Sequence, residues 1–204
     1  QAPQIDALTA APESANRKEL LELYARTKKA LEAKKRLLAF LSIDVVGSTL
    51  MEEDEDAEIA SRDFSRYMAM VDEIIERHGF LKVSWTPDGV MICFPETEQA
   101  VAAGQEVLRS LEHFNREIKA MRADFEVRIG INSGQVLYDE AVPMEEMGDR
   151  VIDIAGHMQK YAKESSIYIN QRALEELFST IQQRGNTCCY SLSASMFEIY
   201  NEKV

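Results

Sequence analysis

Leu38-Ala39-Phe40-Leu41-Ser42-Ile43-Asp44-Val45-Val46-Gly47-Ser48-Thr49 is an apolar run of strand length that ends in an aspartate and then a turn of small residues. It lacks hydrophobic-polar alternation, which predicts a strand buried on both faces. A carboxylate at the end of such a strand reaches solvent where a sheet can present a ligand. Gly47, Ser48 and Thr49 allow a sharp turn whose N–H groups can cradle phosphate. The plainer alternative is an aspartate that caps the following helix. The balance shifts with Thr86-Pro87-Asp88-Gly89, which puts a second aspartate in a turn between two strand-like runs.

The 204 residues suffice for one domain with a real core, plus an appendage. Asp and Glu number 35 against 23 Lys and Arg, a formal net charge of -12. That surface excludes ordinary nucleic-acid binding, which depends on neutralising phosphates. It also makes a nucleotide polyphosphate an awkward ligand unless divalent metal accompanies it. The three cysteines, two of them adjacent at Cys188-Cys189, form neither a disulfide framework nor a metal pattern, so a reducing, cytoplasmic setting is expected. No apolar run approaches the roughly 18 residues of a membrane span, and no signal peptide is visible. The chain does not begin with methionine, so a longer parent, membrane-bound or not, stays open.

Residues 1–14 read as a linker. Ser14 or Asn16 is placed to cap a helix running to about Arg36, with Leu20, Tyr24, Thr27, Leu31 and Leu38 at alternating steps of four and three. That stripe suits either a short coiled coil or a solvated helix. Phe64, Tyr67, Met68, Val71, Ile74 and Ile75 recur at helical spacing before Gly79. Runs 80–85 and 90–94 predict a hairpin with Pro87-Asp88-Gly89 at its tip, and a helix begins near Thr97. Strands are expected at 125–131 and 135–138 around Asn132-Ser133-Gly134, then an acidic loop at 139–147. A helix at 150–163, a strand at 167–170, a helix at 171–183 and a closing hairpin at 188–192 and 196–200 complete the order. The β-α-β-β-α-β succession predicts a ferredoxin-like core, an α+β fold with a mostly antiparallel sheet flanked by helices.

Asp44-Val45-Val46-Gly47-Ser48-Thr49 resembles the first metal motif of the class III adenylate/guanylate cyclase domain, and Asp88-Gly89 resembles the second. Val127 to Gly134 and Gly148 to Met158 are similar to later blocks of that family, in the same order. The resemblance covers roughly residues 37–200, leaving 1–36 as a linker and a signalling or dimerisation helix, with an upstream sensor possible. It implies formation of a 3',5'-cyclic purine mononucleotide and pyrophosphate from ATP or GTP with two Mg2+ or Mn2+ ions per site. Asp44, Asp88 and the carbonyl of Val45 would hold the metals; the amides of Val46, Gly47, Ser48 and Thr49 would meet the phosphates. Such sites form between two cyclase domains, which implies a homodimer or a heterodimer.

The chain departs from the family where side chains handle substrate. The purine-reading lysine position holds Ser84, with Lys82 two residues earlier on the same strand face. Pro87 replaces the glycine before the second metal aspartate. The other purine-reading position falls at Glu145 or Glu146. The asparagine and arginine of the third helix become Asp153 and His157, four residues apart and on one helical face. Neutral histidine does not replace a permanently charged guanidinium fork, and the plainer expectation is that Asp153 and His157 pair with each other. A triphosphate-gripping lysine aligns with Ser191. Two outcomes follow: a weak cyclase, or a non-catalytic domain that binds nucleotide or metal and dimerises.

Overall fold

The computed structural model describes residues 16–183 and the backbone of 197–200. The chain divides into two compact units, Gln1–Lys35 and Arg36–Val204. In the first, helix α1 (Arg17–Glu32) starts at a capping box, in which Asn16 accepts from Lys18 and Glu19 while Glu19 bonds back to the Asn16 N–H. It stops at Glu32, short of the expected Arg36, because the strand begins at Lys35. Leu20, Tyr24 and Leu31 are exposed, and α1 buries no residue.

The second unit is built on a six-stranded sheet of order β2-β3-β1-β4-β5-β6. Its strands are β1 (Lys35–Val45), β2 (Lys82–Trp85), β3 (Gly89–Phe94), β4 (Val127–Leu137), β5 (Ser166–Asn170) and β6 (Phe197–Tyr200). β1 and β2 each pair antiparallel with β3, whereas β4–β5 and β5–β6 are parallel, so the sheet is antiparallel on the hairpin side and parallel at the far edge. The helices are α2 (Ser48–Glu53), α3 (Ala57–Arg77), α4 (Thr97–His113), α5 (Arg150–Tyr161) and α6 (Gln171–Gln183). The 188–192 strand expected from sequence lies outside the described residues.

Strand alternation divides the sheet into two faces. Leu41, Ile43, Ile129 and Ile131 join the main core with Val71, Ile74, Val107 and Leu177 of α3, α4 and α6. Leu38 and Phe40 join a second core with Cys93, Val136, Met144, Met147 and Ala155 of α5. The lack of alternation in β1 is explained: both faces are covered. Helix α4 passes into a π-turn (Phe114–Ile118), where Phe114 packs against Tyr67 and Phe125 at ring separations of 6.3 and 5.1 Å, and Phe125 also meets Phe64 at 5.0 Å. Each such fully buried ring stabilises by about 1.5–3 kcal/mol. Asp63, wholly buried, accepts from the N–H groups of Ala120 and Met121 and ion-pairs with Arg62, fixing the return toward β4.

The Asn132-Ser133-Gly134 segment is not a turn; it lies within the continuous strand β4. Asn132 donates to the Val151 carbonyl (2.9 Å) at the start of α5, and Ser133 donates to Glu176 of α6 (2.5 Å). These bonds satisfy polar side chains that burial would otherwise penalise, which is how turn-like residues occupy a central strand. Helix α5 lies close on β4 because Gly130 has no side chain: a Cβ there would meet Gln159 N at 2.2 Å and Ala155 O at 2.3 Å. We therefore expect Gly130→Ala to cost about 3 kcal/mol in urea denaturation. Gly148→Ala, where a Cβ meets nothing within 4 Å, should change stability by less than about 0.5 kcal/mol. Equal effects at the two positions would contradict this packing.

Candidate functional site

β1 and β3 pair so that Asp44 stands opposite Gly89, and Asp88 directly precedes Gly89 in the hairpin. Beyond that pair the Val45 N–H donates to the Asp88 carbonyl at 2.9 Å, carrying the ladder one step further. Gly89 is required at this crossing, since a Cβ would lie 2.8 Å from the Ile43 carbonyl. Thr86 ties the hairpin off through the Gly89 carbonyl. The two sequence-predicted metal residues thus sit at one end of the sheet, Asp44 on β1 and Asp88 in the turn that leads into β3. Asp44 is half-buried and Asp88 exposed.

Gly47, at φ 65°, turns the chain from β1 into α2, and Ser48 is buried beneath the turn with its hydroxyl donating to Asp88 (3.4 Å). The first-turn amides of a helix have no intrahelical acceptor, so those of Ser48 and Thr49 remain available. Val46 corrects the expectation: its N–H donates to the Glu126 carbonyl at 2.8 Å and is not free for a phosphate. That bond instead holds the end of β1 to the segment leading into β4.

Arg128 is the residue that sequence reasoning passed over. Its guanidinium meets Asp44 at 2.7 Å, with both side chains partly exposed, and its Nε is buried without a partner. A signal existed: Ile129 faces the main core, so Arg128 must face the side that Asp44 occupies.

Asp44, Asp88 and the main-chain oxygen of Val45 would offer an ion hard oxygen donors, the kind that Mg2+ or Mn2+ takes. No cluster of three or more His, Cys, Asp or Glu occurs among the described residues. Two carboxylates fit an ion that keeps waters and takes phosphate oxygens as its other ligands. Arg128 against Asp44 shows that this carboxylate already faces positive charge.

The other predicted residues fall into two groups. Ser84 lies close to the Glu145 carboxylate, so these positions meet. The Glu145 backbone N–H and the Ser84 hydroxyl together hold that carboxyl below its usual range. Glu146 is exposed in the same 3-10 turn (Met144–Glu146). Lys82 is not available as a replacement base reader, because its ammonium is bound by carbonyls of the 139–142 loop. Asp153 and His157 are exposed on α5, and among the described residues neither has an ion pair or side-chain hydrogen bond, so the expected mutual pair does not form. Ser191 lies outside the described residues.

No helix among the described residues is long and apolar enough to cross a membrane. In comparisons with known proteins, the sequence profile of the adenylate and guanylate cyclase catalytic domain matches residues 32–192. The fold is similar to the guanylyl cyclase domain of the RhoGC fusion protein from Blastocladiella emersonii (TM-score 0.63, 17% identity, 71% of this chain and 86% of that one). It is also similar to the adenylyl cyclase CyaB from P. aeruginosa (0.64, 17%, 71% and 82%). A third match is the guanylate cyclase domain of RhGC from Catenaria anguillulae in complex with GTP (0.60, 20%, 70% and 82%). A 45-residue stretch is 47% identical to the kinesin-like protein KIN-14P of Oryza sativa subsp. japonica, covering 22% of this chain and only 4% of that protein's length. With a profile match over most of its length and the fold to go with it, the chain belongs to the adenylate and guanylate cyclase catalytic domain family.

Proposed function

We propose that this domain binds ATP or GTP with two divalent cations and cyclises it slowly, working as a face-to-face pair of chains. The observation that carries the proposal is the pairing of β1 with β3, which sets Asp44 beside the Asp88 hairpin and the Gly47-Ser48 turn. In the reaction the ribose 3'-oxygen bonds to the α-phosphorus. The bond from that phosphorus to the bridging oxygen breaks, pyrophosphate leaves, and the hydroxyl proton passes to solvent. Bound Mg2+ or Mn2+ supplies a lowered hydroxyl pKa and neutralises the triphosphate.

The chain's own residues do the rest. Asp44 and Asp88 hold the cations; the amides of Ser48 and Thr49 donate to phosphate oxygens. Arg128, which pairs with Asp44, would give up that carboxylate to a bound cation and offer its donors to the triphosphate. Ser84 and Glu145 orient the purine. Asp153 and His157, exposed and without side-chain partners among the described residues, face the other chain's phosphates, where a permanent cation would serve better. Losing one preorganised donor typically costs on the order of a hundredfold to a thousandfold in rate. Residues 1–36, with the exposed stripe of α1, serve as the signalling and dimerisation segment, and a cytoplasmic setting fits these substrates. The second reading is a non-catalytic nucleotide-binding domain, and the acidic side chain at Asp153 is what favours it.

Two experiments follow. The purified chain, given ATP or GTP with Mn2+, should form cyclic nucleotide at well under about 1 per second. Asp44→Asn should abolish this, and Asp153→Asn with His157→Arg should raise it at least about tenfold; no product from either chain would leave the non-catalytic reading. In Mn2+ titration followed by electron paramagnetic resonance without nucleotide, Arg128→Gln should tighten binding by about tenfold, equivalent to about 1.4 kcal/mol, because a competing charge is gone. Weaker Mn2+ binding in that variant would contradict the placement of the ion at Asp44.

A further inference from the structure

Lys82 does more than extend β2. Its ammonium donates to the carbonyl oxygens of Asp139 (2.8 Å), Glu140 (3.1 Å) and Val142. An ammonium has three N–H donors, and three carbonyls of one short bend take them. Its Nζ also stands 5.1 Å from the centre of the Tyr138 ring, and the Arg36 guanidinium stands 4.7 Å from the same ring. The aromatic residue that opens the bend is thus held by two cations over its ring.

The bend leads straight to Glu145. Met144 and Met147 enter the second core on either side of it, and the Glu145 carboxylate meets Ser84, two residues beyond Lys82 on the same strand face. Glu145 is itself exposed. Strand β2 therefore grips the loop twice, first at its bend through Lys82 and then at its acidic turn through Ser84.

We propose that Lys82 is a positioning residue for base recognition, its ammonium holding the 139–142 bend so that Glu145 stays beside Ser84 at the purine edge. This role rests on the nucleotide site proposed above. Lys82 touches no substrate; it acts through the loop. Lys82→Met, which keeps the aliphatic stem and removes the donors, should loosen the loop and leave the metal and phosphate residues in place.

The test uses the full chain with Mn2+ and three probes: GTP, ATP and inorganic tripolyphosphate. By calorimetry, Lys82→Met should weaken binding of the preferred purine nucleotide about tenfold and bring the GTP and ATP dissociation constants together. Tripolyphosphate affinity should stay within about twofold. Hydrogen exchange of amides 139–147 should quicken, whereas amides 43–49 should not change. Lys82→Arg, which keeps donors at the bend, should retain discrimination, and it carries the test against Lys82→Gln if Lys82→Met does not fold. Unchanged GTP and ATP affinities in Lys82→Met, or an equal loss for tripolyphosphate, would overturn the positioning role alone. A wild-type chain that binds tripolyphosphate and both nucleotides equally, or binds no nucleotide, would overturn the proposed base site and the role with it.

Discussion

The register of β1 on β3 is the constraint on which the candidate site depends. Asp44 opposes Gly89, and the Val45 N–H closes on the Asp88 carbonyl. A slip of one residue would turn Asp44 into the α3 side of the sheet and exchange the faces of Leu41 and Ile43. Burial of β1 on both faces prevents that slip, because Ala39, Leu41 and Ile43 pack into one core while Leu38 and Phe40 pack into the other. Core packing therefore fixes the position of a charged pair that contributes nothing to the core.

Charge is the second organising problem. A chain of net charge -12 repels a triphosphate, and the only cation that the described residues place against Asp44 is Arg128. Lys82, on the strand that leads to the Asp88 turn, is bound to loop carbonyls instead. The separation of duties is physical: a guanidinium fork pairs well with a carboxylate or phosphate, whereas a compact ammonium fits a ring of carbonyl oxygens. Divalent cations would supply the positive charge that the side chains lack.

Much of this was legible in the sequence because it rests on local chemistry. The apolar run into Asp44, the turn at Gly47 and the hairpin at Asp88 each have a short-range signature, and so has the Asn16 cap of α1. What escaped notice depends on distant partners. Asn132 and Ser133 look like turn residues until Val151 and Glu176 are seen to satisfy them. Val46 offers an apparently free amide until Glu126 arrives from far along the chain. The grip of Lys82 on main-chain carbonyls leaves no mark on side-chain identity. Arg128 was within reach, since alternation with Ile129 already assigns its face.

The most direct test of a metal–triphosphate site at Asp44 and Asp88 is the anomalous scattering of Mn2+ in crystals grown with a non-hydrolysable GTP or ATP analogue. We expect Mn2+ density bonded to oxygens of both Asp44 and Asp88 and to the triphosphate, with Arg128 moved off Asp44 toward phosphate. Manganese bound elsewhere, or a triphosphate seated away from these carboxylates with the Arg128–Asp44 pair intact, would contradict the account.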